Sequence, residues 1–176
     1  KKHKEKIKEW FKFPKVDIGQ RSDDLIMHIR LGDNLLSSEE PPMIMPPEYY
    51  EKALSQVKFN RLYIATDSPN HSFLSNFDKY DPVITNKSSL EDFKIISSFN
   101  KIIMSQSTFS WWAAFLSKAQ TIITPVPERG NSRLINEWSI ARPDIATFVD
   151  DESRYKFIKQ YGEDWRPVLL EEIKER

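Results

Sequence analysis

Apolar positions along the chain follow two alternating patterns. Short apolar runs bounded by turn-forming residues are typical of buried strands, whereas apolar residues spaced three or four apart over a longer stretch are typical of helices. The short runs predict five strands, at Leu25–Ile29, Arg61–Ala65, Pro82–Thr85, Lys101–Met104 and Gln120–Thr124. The longer pattern predicts helices at Lys1–Phe13, Pro47–Val57, His71–Phe77, Ser88–Phe99, Phe109–Leu116, Leu134–Trp138, Lys156–Tyr161 and Val168–Arg176.

Strands that alternate with helices predict βαβ units, and therefore a Rossmann-like α/β fold: a parallel sheet flanked by helices. The length of 176 residues fits a single domain. We divide this domain into a leading helix at 1–13, a core at 24–127 and a C-terminal helical extension at 128–176. The helix that begins at Ser88 carries Glu91 three positions later, which is the pattern of a capping box.

Composition excludes several classes of site. The 26 basic and 26 acidic residues cancel, so the overall charge favours neither nucleic acid nor an anionic membrane as partner. The chain has no cysteine, which excludes disulfides, thiolate chemistry and cysteine-bound zinc. It has only three histidines, so a metal site built from histidines is not expected. No apolar run is long enough to span a bilayer, and no apolar segment follows the charged N-terminus. We therefore expect a cytoplasmic protein.

Polar side chains follow three of the predicted strands. His28, Arg30 and Asp33 lie at the end of the first strand, Thr66-Asp67 at the end of the second, and Ser105–Thr108 at the end of the fourth. Because α/β proteins bind ligands at the carboxyl ends of their parallel strands, we expect these groups to meet at one edge of the sheet.

The chemistry of these groups suits a nucleoside diphosphate. A hydroxyl-rich loop that opens a helix offers backbone N–H groups and the positive end of the helix dipole to an anion, although Ser107 or Thr108 alone is also an ordinary N-cap. Arg30 can donate two parallel hydrogen bonds to a phosphate, or it can pair with Asp33 or another nearby acid. Asp67 can accept from the adjacent N1–H and N2–H groups of guanine, or it is a turn-forming residue.

Three common phosphate-binding patterns are absent from the sequence. The chain contains neither Gly-x-Gly-x-x-Gly nor a Walker A loop, and it has no Asp-x-Asp of the kind that holds a metal diphosphate. We therefore expect a site that neutralises the diphosphate without a metal, through Arg30 and the helix N-terminus.

Several segments resemble motifs of known enzymes, and two of them are the most specific. The segment His28–Asp33, His-Ile-Arg-Leu-Gly-Asp, resembles the His-x-Arg-Arg-Gly-Asp motif of the GDP-fucose-dependent α-1,2- and α-1,6-fucosyltransferases. The segment Ser105–Trp112 resembles the Asn-Ser-Ser-Phe-Ser-Trp-Trp segment of the α-1,2 enzymes, glycosyltransferase family 11. Tyr63–Asp67 is similar to the Ala-Thr-Asp strand end of the α-1,6 and protein O-fucosyltransferases, and Tyr49-Tyr50 and Leu90–Asp92 also match the family.

The resemblance implies the donor-binding, C-terminal half of a GT-B enzyme, which transfers fucose from GDP-fucose to a glycan hydroxyl with inversion and without a metal or other cofactor. Arg30 would hold the β-phosphate, His28 and Asp67 would contact the guanosine, and the Ser107 and Thr108 amides would hold the phosphates. The donor-binding residues expected in this way are His28, Arg30, Gly32, Thr66, Asp67, Ser105, Gln106, Ser107 and Thr108. Leu31 departs from the motif, in which many members have a second arginine.

The implied catalytic residues are less sharply defined. Arg30 would stabilise the leaving GDP, while Glu39, Glu40 or Asp33 would act as the base; the two glutamates could equally be solvated loop acids, and Asp33 a turn residue. The expected partners are a GDP-sugar, a glycan acceptor and an N-terminal acceptor domain. A GDP-sugar transferase with another sugar and a non-catalytic nucleotide- or glycan-binding module are the alternatives. One or both of Trp111 and Trp112 are expected in the core rather than against a sugar.

Overall fold

A computed structural model describes residues 4–11, 13–14, 16–35, 44–85, 87–125 and 146–149. Its strands form one parallel sheet in the order β3-β2-β1-β4-β5-β6. The strands are β1 (Leu25–Ile29), β2 (Leu62–Thr66), β3 (Val83–Thr85), β4 (Lys101–Ile103), β5 (Thr121–Pro125) and β6 (Ala146–Val149). The helices are α1 (Lys4–Trp10), α2 (Pro47–Leu54), α3 (Ser89–Ser98) and α4 (Thr108–Leu116), with 3-10 helices at Gly32–Leu35 and Ser72–Tyr80. This is the Rossmann-like α/β architecture that the sequence predicts.

The central position of β1 places the site. All five residues of β1 are buried, and Leu25 pairs with Leu62 of β2 on one side and with Lys101 of β4 on the other. The chain builds outward from β1 through β2 and β3, and then crosses back to add β4 on the opposite side of β1. A crevice opens at the carboxyl ends of the strands where the order reverses, which here is between β1 and β4.

Apolar side chains cover both faces of the sheet. Leu25, Met27 and Ile29 of β1 face one core, whose helical side is α2 and the 3-10 helix Ser72–Tyr80. The intervening Ile26 faces the other core, which α3 and α4 cover. This alternation follows from the two-residue period of a strand, and burial on both faces explains why β1 is apolar at every position except His28.

The five predicted strands are confirmed, with ends shifted by at most one residue for four of them and β1 matched at both ends. The sixth strand, β6, is not predicted by the sequence. It lies within the segment 128–176, for which only helices are expected, and it pairs with β5. Pro125 belongs to β5 instead of ending the strand before it. The predicted helices at Leu134–Trp138, Lys156–Tyr161 and Val168–Arg176 lie outside the described residues.

Three predicted helices differ in detail, and one of them is α2, which ends at Leu54, three residues before the predicted end at Val57. The leading helix ends at Trp10, three residues earlier than expected, and Phe13 instead packs edge-on against Phe93 of α3. The segment after β2 is a 3-10 helix, whose buried residues are the expected Phe73, Leu74 and Phe77. The capping box at the start of α3 is confirmed by reciprocal bonds between Ser88 and Glu91.

Candidate functional site

A cleft of about 740 Å³ lies at the carboxyl ends of the central strands. Seven of the nine predicted donor-binding residues line it: His28, Arg30, Thr66, Asp67, Gln106, Ser107 and Thr108. The other two, Gly32 and Ser105, contact residues of this wall. Residues that were not among the expected site also line the cleft, namely Asn34, Ala65, Pro69, Asn70, Lys87, Ser89, Asp92 and Phe109. The parallel sheet therefore brings the polar strand ends together, as the topology requires.

His28 joins the first strand end to the fourth. Its Nδ1 lies 2.7 Å from the hydroxyl oxygen of Ser105, and its ring lies 5.4 Å from that of Phe109 at the start of α4. Burial, together with the nearby charge of Arg30, lowers the pKa of His28 to about 3. The imidazole is thus neutral at physiological pH, and it acts at this edge as a hydrogen-bonding group rather than as a cation.

Arg30 pairs with the second strand end. Its Nη1 lies 2.6 Å from Oδ2 of Asp67, and the other carboxylate oxygen of Asp67 accepts a hydrogen bond of 3.1 Å from the Leu31 amide. Of the two alternatives for Arg30, phosphate binding or pairing with a nearby acid, the structure shows an ion pair, and the acid is Asp67. The Arg30 side chain keeps 34% of its surface exposed, toward the cleft that it lines.

Gly32 sits against the same carboxylate. It has a φ of +28°, and a Cβ atom added there would collide with Oδ2 of Asp67. Its amide donates a bond of 3.4 Å to the hydroxyl of Ser68, which itself donates to Oδ1 of Asp67 over the same distance. Glycine is required here because the chain must turn at positive φ and approach a side chain closely.

The N-terminus of α4 forms the opposite wall. Ser107 is its N-cap, and the Ser107 hydroxyl accepts a bond of 3.2 Å from the Phe109 amide. The N-cap interpretation of Ser107 is thus confirmed, while Thr108 occupies the first helical position on the cleft side. The buried Ser110 hydroxyl braces the loop through the Ser105 and Ser107 carbonyls. First-turn amides lack intrahelical acceptors, so this wall carries positive potential.

Two acceptor oxygens in the cleft wall have no hydrogen-bond partner within the described residues: Oδ1 of Asp92 and Oε1 of Gln106. Both residues are 8% exposed. Burial raises the pKa of Asp92, although hydrogen bonds from the Thr85 side chain and the Lys87 backbone act in the opposite direction. Asp92 is absent from the predicted site, yet a signal existed: the capping box uses the side chain of Glu91 and assigns no contact to the neighbouring carboxylate.

Two adjacent tyrosines on α2 hold the strand ends that flank the crevice. The Tyr49 hydroxyl donates to the Met104 carbonyl at 2.6 Å, and the Tyr50 hydroxyl donates to the His28 carbonyl at 3.3 Å. Both side chains are fully buried. The apolar spacing predicts a helix that contains Tyr50, but the partner of its hydroxyl cannot be derived from that pattern.

The predicted bases are not positioned by this structure. Glu39 and Glu40 lie outside the described residues, and Asp33 lies in the 3-10 helix Gly32–Leu35, with its side chain outside the described part. Within the described ranges, no group of three or more His, Asp or Glu side chains is arranged to hold a metal ion.

The two tryptophans of α4 differ in environment. Trp111 is half-buried against the core on the α3–α4 side and stacks on Phe115 with centroids 5.2 Å apart. Trp112 is 41% exposed, so the expectation of a core position holds for Trp111 alone. Trp112 lies four residues after the exposed Thr108, on the same solvent-facing side of α4, which explains its exposure.

A sequence model described as glycosyl transferase family 11 matches residues 2–145. The chain belongs to glycosyltransferase family 11. The match spans β1 to β5 and both of the motifs on which the resemblance rests, so this family 11 chain is of the glycosyltransferase type with a nucleotide-sugar donor and a glycan acceptor. Searches of curated proteins and of solved structures each gave no match. In the part of the chain that the structure describes, none of the helices has the length and hydrophobicity needed to cross a bilayer.

Proposed function

We propose that this chain binds GDP-fucose as the donor half of a GT-B fucosyltransferase, and that transfer to a glycan hydroxyl proceeds with inversion and without a metal ion. The observation that carries the proposal is the cleft at the β1–β4 crossover, with Arg30 on one wall and the N-terminus of α4 on the other. Membership of family 11 supports a transferase rather than a binding module.

The two walls suit the two charged parts of a diphosphate. The Arg30 guanidinium forms charge-assisted hydrogen bonds with phosphate oxygens, and the first-turn amides of α4 add the positive end of the helix dipole. His28 contributes no positive charge, since its pKa is lowered to about 3. Negative charge that develops on the leaving GDP is therefore stabilised by Arg30 and by the Ser107–Thr108 end of α4.

The unpartnered oxygens suit the guanine base. Guanine presents N1–H and N2–H donors side by side, and Asp92 Oδ1 and Gln106 Oε1 are buried acceptors in the cleft wall. A buried acceptor without a donor is costly, and a ligand that supplies one recovers that cost. Adenine lacks this pair of donors, so we expect the site to prefer GDP to ADP.

Inverting transfer requires the acceptor hydroxyl to attack the anomeric carbon from the face opposite the departing diphosphate, through an oxocarbenium-like transition state. As the carbon–oxygen bond to GDP breaks, the electron pair leaves with the β-phosphate, and a base removes the proton from the attacking hydroxyl. Arg30 stabilises the negative charge that the departing β-phosphate carries. Glu39, Glu40 and Asp33 remain the candidates for the base.

Calorimetric titration of the whole chain with GDP tests the proposal. Wild-type protein should bind GDP in the presence of EDTA, and Arg30→Ala should weaken this binding at least about tenfold, because a hydrogen bond to a charged group contributes about 1.5–3 kcal/mol. Arg61→Ala is the matched control, since Arg61 is exposed and precedes β2 at the opposite edge of the sheet. If the wild-type chain fails to bind GDP at millimolar concentration, the proposal is wrong. Competition between GDP-fucose and other GDP-sugars then identifies the donor.

A further inference from the structure

Both oxygens of the Asp67 carboxylate are already engaged by the chain itself. Oδ2 pairs with the Arg30 guanidinium at 2.6 Å, and Oδ1 accepts the Leu31 amide at 3.1 Å and the Ser68 hydroxyl at 3.4 Å. An oxygen that contacts a nucleobase must be available to donors from the ligand. This geometry differs from that of Asp92 and Gln106, each of which keeps an acceptor oxygen without a partner in the described part of the chain.

Three successive residues of the loop after β1 are arranged around this one carboxylate. Arg30 binds it through its side chain, Leu31 binds it through its amide, and Gly32 approaches so closely that a Cβ would meet Oδ2. An incidental surface ion pair needs only two long side chains within reach. Here the backbone of the loop is shaped to the carboxylate as well.

The register of the sheet explains how this contact is set. Ile29 of β1 pairs with Thr66 of β2, so the next residues on the two strands, Arg30 and Asp67, leave the sheet side by side. The short span from strand to carboxylate leaves Asp67 little freedom, while the arginine side chain has many rotamers. The rigid partner therefore restrains the flexible one.

We infer that Asp67 is a positioning residue that fixes the Arg30 guanidinium for the donor diphosphate, and that it does not read the nucleobase. The inference rests on the proposed function and assigns Asp67 to a part of the site different from the guanosine contact that the sequence implied. Holding Arg30 in one orientation before binding reduces the conformational entropy that the arginine loses on capturing a phosphate.

A double-mutant cycle on GDP affinity separates the two roles, with wild type, Asp67→Asn, Arg30→Ala and the double variant titrated by calorimetry. We expect Asp67→Asn to weaken GDP binding about tenfold in the wild-type background, as for one charge-assisted contact. In the Arg30→Ala background it should change affinity less than about twofold, because an effect exerted through Arg30 vanishes with it. An equal loss in both backgrounds, or tighter binding by Asp67→Asn, overturns the inference.

Base selectivity gives a second, independent readout. Inosine diphosphate lacks only the 2-amino group of GDP, so the ratio of the two affinities reports recognition of that edge. Asp67→Asn should leave this ratio unchanged, while Asp92→Asn should reduce it. A reduced ratio for Asp67→Asn would show that Asp67 contacts the base directly, and it would contradict the inference that Asp67 only positions Arg30.

A third variant covers the case in which Asp67→Asn fails to fold. Gly32→Ala retains the carboxylate but displaces it by steric collision, and its effect on GDP affinity should likewise disappear in the Arg30→Ala background. Absence of GDP binding by the wild-type chain would refute the proposed function and the inference together. GDP binding that depends on Arg30 but not on its coupling to Asp67 would refute the inference alone.

Discussion

The imidazole of His28 and the hydroxyl of Ser105, 77 residues apart in the chain, lie 2.7 Å apart in the buried wall of the cleft. This contact joins the two segments whose motifs identify the family, and it puts a titratable ring where protonation is strongly opposed. Burial and the charge of Arg30 lower the pKa of His28 to about 3. The site thus depends on a neutral histidine.

Acid should therefore destabilise the fold through His28. Because the pKa is lower in the folded state than in the unfolded state, stability is highest above about pH 6.5 and is lost as the pH falls toward 3. Between pH 7 and pH 5 this group should reduce the free energy of unfolding by about 2 kcal/mol. Urea denaturation of wild type and His28→Asn at both pH values measures the difference, since asparagine keeps a hydrogen-bonding group near Ser105 without titrating. Equal losses in the two proteins would contradict the assignment.

Gly32→Ala should cost more than a positive φ alone explains. Alanine at this position meets both the unfavourable backbone angle and the Asp67 carboxylate. Gly19→Ala is the matched control, because Gly19 has a φ of +81° and open space around its Cβ direction. We expect about 1 kcal/mol of destabilisation at Gly19 and at least about twice that at Gly32. Thermal and urea unfolding give the comparison, and similar values for the two variants would show that Asp67 moves away at little cost.

Asp92 should make stability depend on pH in the opposite direction to His28. Burial raises its pKa, so the folded state binds this proton more tightly than the unfolded state does. Protonation then stabilises the fold as the pH falls from neutral toward the raised pKa, and that stabilisation is lost again as the pH rises through it. The unfolding free energy of wild type minus that of Asp92→Asn should therefore become more positive as the pH falls from neutral toward the ordinary pKa of an aspartate. A constant difference would mean that the Asp92 carboxylate keeps its ordinary pKa.

Tyr49→Phe should weaken the carboxyl end of β4. The variant leaves the Met104 carbonyl without the donor that approaches it at 2.6 Å in a fully buried position, which should cost about 1–2 kcal/mol. Tyr80→Phe is the control, because the Tyr80 hydroxyl binds Glu51 at a half-buried surface position and its loss should cost at most about 0.5 kcal/mol. Urea denaturation of both variants tests the ranking, and an equal cost would argue against the role of Tyr49 in holding β4.

Local patterns in the sequence carried the prediction of this fold a long way. Residues 25–29 form a run that is apolar at every position except His28, and this strand matches the prediction at both ends; the Ser88–Glu91 capping box marks the start of α3. The binding edge followed from topology, because parallel strands send their carboxyl ends to the same side. What the sequence could not supply was the choice of partner among groups at that edge.

The pairing of Arg30 shows why. Asp33 is three residues away and Asp67 is 37 away, and only the β1–β2 register, with Ile29 opposite Thr66, brings the more distant carboxylate within 2.6 Å. The strand β6 was missed for a related reason. Its pairing with β5 joins residues more than twenty positions apart, which the local sequence pattern does not report.

The central position of β1 also has a consequence for how the molecule opens. The cleft walls come from β1, β2 and β4, which begin at residues 25, 62 and 101, so the cleft is assembled from segments that lie far apart in the chain. Any opening that separates β1 from β4 must destroy the ligand-binding surface along with the sheet. A nucleotide seated there should therefore slow amide hydrogen exchange throughout the central strands, and not merely in the loops that it touches.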